Sequence, residues 1–227
     1  MFSERDTMKP IGLFVKAEYL TKLSKKQVIT LYQVFRIINN LEFQIRSYHA
    51  MANEQDELFR LRNQIELHFG IMSSYKEAIK EFDNKLAKEL LGMDLSEELS
   101  SEISEYCEWL SIRETDPYLQ AVDRARNCLR YHFKSKIYDE CIKEGSQSED
   151  LMIGYAIGDT YRDFMYTEPY SMELQYICGT VPSTVEKGQA SIDWIRDRSE
   201  TETKKFLGIL RKVAYELLKE NVYKKNI

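Results

Sequence analysis

The chain has 227 residues, of which 43% are hydrophobic and 12% aromatic, and a formal charge of −5. That is enough apolar material for a full core within a single domain over 1–227. The acidic balance, with an isoelectric point near 5.5, excludes a generally cationic nucleic-acid coat or membrane-surface protein, so any polyanion must be met by a local patch.

The N-terminal stretch is charged, and its apolar run GLFV at 12–15 is too short for a signal peptide. Ser24 is placed to cap a long helix, along which Val28, Leu31, Val34 or Phe35, Ile38, Leu41 and Ile45 recur at helical spacing. A second long helix is expected from about Asn53 to Leu91. Its stripe is Leu58, Leu61, Ile65, Phe69 and Met72, continued by Ile79, Phe82 and Leu86, with Gly92 as its stop. A third covers 95–112 through Leu95, Leu99, Ile103, Tyr106 and Leu110. In the fourth, Asp116 caps, Pro117 takes the first helical position and Gly145 ends the run, with Leu119, Val122, Leu129, Phe133 and Ile137 as its stripe. Residues 146–190 lose the helical period and carry alternating patches that read as short strands or irregular packing. A last helix over 191–222 carries Ile192, Ile195, Phe206, Leu210, Val213 and Leu217. The expected fold is all-α, an antiparallel helical bundle with a less regular, partly β insert before the final helix.

The four cysteines (Cys107, Cys128, Cys141, Cys178) form no CxxC pair and read as reduced thiols of a cytosolic protein. No segment approaches the ~20 apolar residues that span a bilayer, so a soluble cytoplasmic protein without a membrane partner is expected. HxxxH, Glu-x-x-His and Cys/His clusters are absent from the sequence, as are glycine-rich phosphate loops and GxSxG. No metal centre and no cofactor are therefore expected.

One stretch departs from the acidic background. Arg124 to Lys136 holds five cations and no acid: Arg124, Arg126, Arg130, Lys134 and Lys136. On a helical wheel with Arg124 at zero, the apolar stripe centres near ~180°, Arg126 falls at about 200° and His132 at about 80°. Arg126 thus reads as lying on the apolar stripe. An unpaired buried charge costs several kcal/mol, so it must meet an acid, a bound anion or a second subunit.

The sequence RNCLRYHF at 126–133 resembles the signature of the HEPN superfamily. There an Arg is followed by a polar residue, often Asn, and then by a His four to six residues beyond, commonly preceded by an aromatic. Arg126, Asn127, Tyr131 and His132 match each element. The expected order of helices, two long ones before the one carrying the motif, agrees with HEPN domains over about 24–145. The resemblance implies a metal-independent endoribonuclease that dimerises so that two copies of the motif line one cleft, in some members as a toxin or anti-phage protein with a separate antitoxin. It gives Arg126 and His132 catalytic roles and Asn127 an orienting one. It leaves Arg124, Arg130, Tyr131, Lys134 and Lys136 to hold RNA. Histidine suits proton transfer near neutrality, and the planar guanidinium suits a phosphate. On a straight helix Arg126 and His132 lie ~120° apart, so two helices meeting across a two-fold aim them at one phosphate better than one helix does. Tyr131 and Tyr138 share a face, where they either stack bases or pack against a neighbouring helix.

RLRNQIELHF at 60–69 repeats the spacing with Arg60, Arg62, Asn63, His68 and Phe69. It has Glu66 within it, lacks an aromatic before the histidine, and places His68 beside a core stripe. There a hydrogen-bonded structural histidine is the ordinary outcome. His49, at a helix end, also reads as structural. The competing reading of the whole chain is a non-catalytic helical module that binds a partner or a nucleotide. It gains if Arg126 is buried against an acid of its own chain.

Overall fold

The computed structural model describes residues 11–15, 17–51, 57–128, 155–156, 165–166, 174, 176–218 and 222–226. The described part is an all-α bundle with two small antiparallel strand pairs. The helices are α1 (Ala17–Lys22), α2 (Lys25–Met51), α3 (Glu57–Glu81), α4 (Ala87–Leu91), α5 (Glu97–Ser111), α6 (Pro117–Cys128) and α7 (Gln189–Leu218). The strands are β1 (Ile11–Val15), β2 (Tyr155–Ala156), β3 (Met165–Tyr166) and β4 (Val222–Asn226). β1 pairs with β4 in the register Leu13 to Lys224, and β2 with β3. The β2–β3 pair lies in the insert whose alternation suggested short strands. The β1–β4 pair, far apart in sequence, was not expected.

Sequence signals set the helix ends. Ser24 and Gln27 form a reciprocal capping box: the Gln27 amide donates to Ser24 Oγ at 3.2 Å and the Ser24 amide to Gln27 Oε1 at 2.9 Å. Ser96 caps α5 through the Leu99 amide at 3.3 Å, and its own amide and hydroxyl are both held by the Glu216 carboxylate of α7. The second predicted helix is present but is not one uninterrupted α-helix. Between α3 and α4, Phe82–Leu86 form a π-helical turn, closed by the Ala87 amide donating to the Phe82 carbonyl. The widened turn keeps both Phe82 and Leu86 in the core, at 0% and 1% exposure.

Cross-helix pairs fix the directions. Thr30–Glu89, Gln33–Glu81 and Tyr48–His68 run α2 antiparallel to α3 with its extension. Glu42–Arg211 ties the later half of α2 to the last third of α7, and the Tyr19 hydroxyl of α1 donates to the Leu217 carbonyl near the end of α7. Ser96–Glu216 and Glu102–Lys212 align α5 antiparallel to α7. Gly70 lets α2 and α3 close up: a Cβ there would lie 3.2 Å from Gln44 Oε1.

The core centres on five rings. Phe206 of α7 stacks on Tyr106 (centroids 5.3 Å apart, planes 13°) and meets Phe82 and Tyr75 edge-on at 5.2 and 5.9 Å. Tyr118 joins from α6, 6.1 Å from Tyr75. The Tyr75 and Tyr106 hydroxyls bond each other at 2.6 Å, and burial pushes all three phenols well above their ordinary titration range. The α5 stripe is buried at Leu99, Ile103, Tyr106 and Leu110 as expected, with Leu95 half-buried. On α2 the buried positions are Thr30, Leu31, Val34, Ile37, Leu41 and Gln44, so Ile37 rather than Ile38 faces inward. Two polar residues take places in this stripe; Thr30 does so by donating to Glu89 Oε2 at 2.6 Å. On α7 the predicted stripe is buried at Ile195, Phe206, Leu210 and Val213, with Ile192 and Leu217 half-buried. The stripe residues Leu58, Leu61 and Ile65 have side chains outside the described set, and Leu129, Phe133, Ile137, Tyr138 and Gly145 lie outside the described residues.

Candidate functional site

The motif helix begins as its sequence requires. Asp116 Oδ1 accepts from the Leu119 amide at 2.9 Å, while Oδ2 accepts from Trp109 Nε1 at 3.2 Å, so one carboxylate caps α6 and ties it to α5. Pro117 occupies the first turn. Tyr118, Leu119, Ala121, Val122 and Ala125 then form the buried face, each at 0% exposure.

This face corrects the placement of Arg126. The wheel stripe rested on the large apolar residues, whereas Tyr118, Ala121 and Ala125 turn the buried face by about 50°. Arg126 stands at its edge, its side chain 44% exposed, and Arg126 Nε donates to Glu77 of α3. The demand for an anionic partner is met by an acid of the same chain, at the surface rather than in the core. Among the described residues the terminal guanidinium nitrogens of Arg126 have no acceptor. One residue along α3, Lys76 is buried and pairs with Asp123 of α6. Two adjacent residues of α3 therefore grip α6 with opposite charges.

Arg124 is committed elsewhere. Its Nη1 donates to the Tyr176 carbonyl, and its guanidinium lies 4.7 Å from the centroid of the Tyr176 ring. Asn127 is half-buried next to Arg126. Arg130, Tyr131, His132, Lys134 and Lys136 lie outside the described residues. The structure brings together Arg124, Arg126 and Asn127 on the last turns of α6. It adds Glu77, Lys76 and Tyr176, which no local pattern marked: contacts between helices depend on register and spacing that a linear sequence does not display.

In the twin motif, the side chains of Arg60, Arg62 and Asn63 lie outside the described set. His68 of α3 is half-buried, with the Tyr48 ring of α2 6.0 Å away. No described residue hydrogen-bonds its imidazole, and the side chains of 57–65 just before it on α3 lie outside the described set. Burial and, second, the Arg196 guanidinium lower its pKa to about 4, which keeps the ring neutral at pH 7. His49 ends α2 and is exposed, in edge contact with Tyr48 at 5.7 Å.

Cys107 and Cys178 are free, half-buried thiols pushed up in pKa by burial; Cys141 lies outside the described residues, as does the Cys128 side chain. Among the described residues, no three His, Cys, Asp or Glu side chains gather as metal ligands, and no helix is long and apolar enough to cross a membrane. Compared with the models of known families, with curated proteins and with solved structures, the chain matches none of them.

Proposed function

We propose that the chain is an endoribonuclease of HEPN type. It cleaves RNA without metal at a site composed from two copies of α6 and the residues that follow it. The observation that carries this reading is the presentation of Arg126: a guanidinium exposed at the bundle surface, steadied through Nε by Glu77 and, among the described residues, open at its terminal nitrogens. A planar fork held in this way suits a phosphate oxygen pair. The RNCLRYHF sequence places His132 beyond it.

Cleavage by the substrate's own 2′-hydroxyl needs a base to take that proton, a cation to stabilise the phosphorane, and an acid to protonate the departing 5′-oxygen. The attack forms the O–P bond of a 2′,3′-cyclic phosphate and breaks the P–O5′ bond. Two histidines across a two-fold supply base and acid, and Arg126 supplies the cation. Asn127 orients the site. Arg130, Tyr131, Lys134 and Lys136 extend it along the RNA backbone, with Arg124 joining once released from Tyr176. The biological setting this chemistry fits is a cytoplasmic toxin or anti-phage protein restrained by a separate antitoxin.

A second reading, a non-catalytic helical interaction module, is favoured by one observation: Arg126 and Arg124 both spend contacts within their own chain, on Glu77 and Tyr176. The test is a labelled RNA pool incubated in EDTA with wild type, Arg126→Ala, His132→Ala and Glu77→Gln. The ribonuclease reading expects cleavage by wild type, losses on the order of a hundredfold or more in the two alanine variants, and undiminished cutting by Glu77→Gln. An intact pool with wild type, or cutting by both alanine variants as efficient as that of wild type, overturns it in favour of the module.

A further inference from the structure

A second place in the molecule carries unspent binding chemistry, and it shares no residue with the Arg126 edge. Between the last turns of α2, the middle of α3 and the first turns of α7 lies a cavity of about 390 Å³. Tyr48, His68, Phe69, Ile177, Ile195 and Arg196 are prominent in its lining. Tyr48, His68 and Arg196 also border a smaller recess of about 80 Å³, which reaches Ser199 and Thr203. The two cavities share these three residues, and the larger has a size and a largely apolar lining typical of small-molecule sites.

Their polar groups converge. The His68 imidazole is half-buried, neutral at pH 7, and has no hydrogen bond from a described residue. Thr203 is 2% exposed, and its hydroxyl lies near that of Tyr118 without a well-formed hydrogen bond. A buried hydroxyl is ordinarily satisfied, so the Thr203 hydroxyl, left unpaired at a residue lining the recess, points together with the half-buried imidazole to an occupant. Arg196 is held from outside by Asp193 at 2.9 Å and Asp197 at 3.2 Å. Those bonds fix the guanidinium at the rim and leave its other side to the cavity. The formally charged lining residues are Arg196 and Lys204 against Glu200, two cations less one anion, a balance of one positive charge.

We propose that this pocket binds a small aromatic carboxylate, its ring between Phe69, Ile177 and Tyr48 and its carboxylate at His68 and Arg196. The apolar chamber selects a flat hydrophobic body, the single positive charge selects a monoanion, and the neutral imidazole donates one hydrogen bond to it.

The experiment uses 2-naphthoate as probe on the full chain, with isothermal calorimetry and NMR of the histidine ring protons. Expected are one saturable site of sub-millimolar affinity, a shift of the His68 ring resonances, and at least about tenfold weaker binding of neutral 2-naphthalenemethanol. Arg196→Gln should weaken 2-naphthoate by about tenfold. Ile192→Trp, at a half-buried position in the chamber wall, should abolish binding with an unchanged far-ultraviolet circular dichroism spectrum. No saturation at millimolar probe, no His68 shift, or equal binding of the neutral isostere overturns the proposal. RNA cleavage stands or falls separately, because none of these variants touches α6.

Discussion

Lowering the pH from 7 to 5 tests how firmly the fold excludes a proton from His68. In the unfolded chain an imidazole titrates near 6.5, and in the folded protein His68 is held at about 4, chiefly by burial and then by repulsion from Arg196. A lowered histidine pKa means that the unfolded chain takes the proton first. Stability is therefore intact above pH 6.5 and falls as the pH drops from there toward 4. Over that whole window the difference amounts to about 3 kcal/mol, and the portion lost between pH 7 and 5 is about 2 kcal/mol. The other ionisable groups lining the two cavities are Tyr48, His49, Cys178, Lys204 and Glu200. Glu200 is held below its ordinary value by its hydrogen bond and charge pairing with Lys204, so it stays ionised across the interval. The assay is urea unfolding of wild type and His68→Gln at both pH values, comparing the loss in each. Wild type should lose about 2 kcal/mol more than the variant. Equal losses, or a His68 resonance titrating near 6.5 in the folded protein, would refute the burial argument.

The aromatic centre gives two further expectations. Phe206→Ala removes a ring that is fully buried and touches three others, and should cost about 4 kcal/mol in urea unfolding. Tyr106→Phe strands the Tyr75 hydroxyl, its partner at 2.6 Å, for a loss of about 2 kcal/mol; adding Tyr75→Phe should recover part of it, since no buried hydroxyl of the pair is then left unpaired.

The elements that the sequence revealed are those with dense local signals. Helix α5 was legible along its length because Leu99, Ile103, Tyr106 and Leu110 repeat at helical spacing. The start of α2 was legible through Ser24, and that of α6 through Asp116 and Pro117. Reading failed where small or polar residues do the packing. Ala121 and Ala125 define the buried face of α6 as much as Val122 does, yet a wheel weighted toward large apolar residues drew Arg126 inward. Thr30 and Gln44 are buried on α2, so the face centres on Ile37 rather than Ile38. The β1–β4 pairing joins IGLFV to VYKKN across nearly the whole chain, and neither segment carries any mark of the other. At the candidate site, the cation was legible from its motif, but Glu77 was not, because the register between α3 and α6 is a property of packing. The neutral state of His68 was equally hidden: it depends on burial in the folded chain and on an arginine 128 positions away in the sequence.

The π-helical turn at Phe82–Leu86 has a consequence for how this fold accommodates changes in length. A π turn holds one residue more than an α turn, and Asp83, Asn84 and Lys85 all face solvent. Removing one of these three converts the turn to regular α-helix while Phe82, Leu86 and Leu90 remain on the buried side. The same deletion elsewhere in α3 would rotate everything after it by about 100° and turn a core stripe toward water. The helix thus carries a slack position, where a one-residue deletion leaves the register of the core intact.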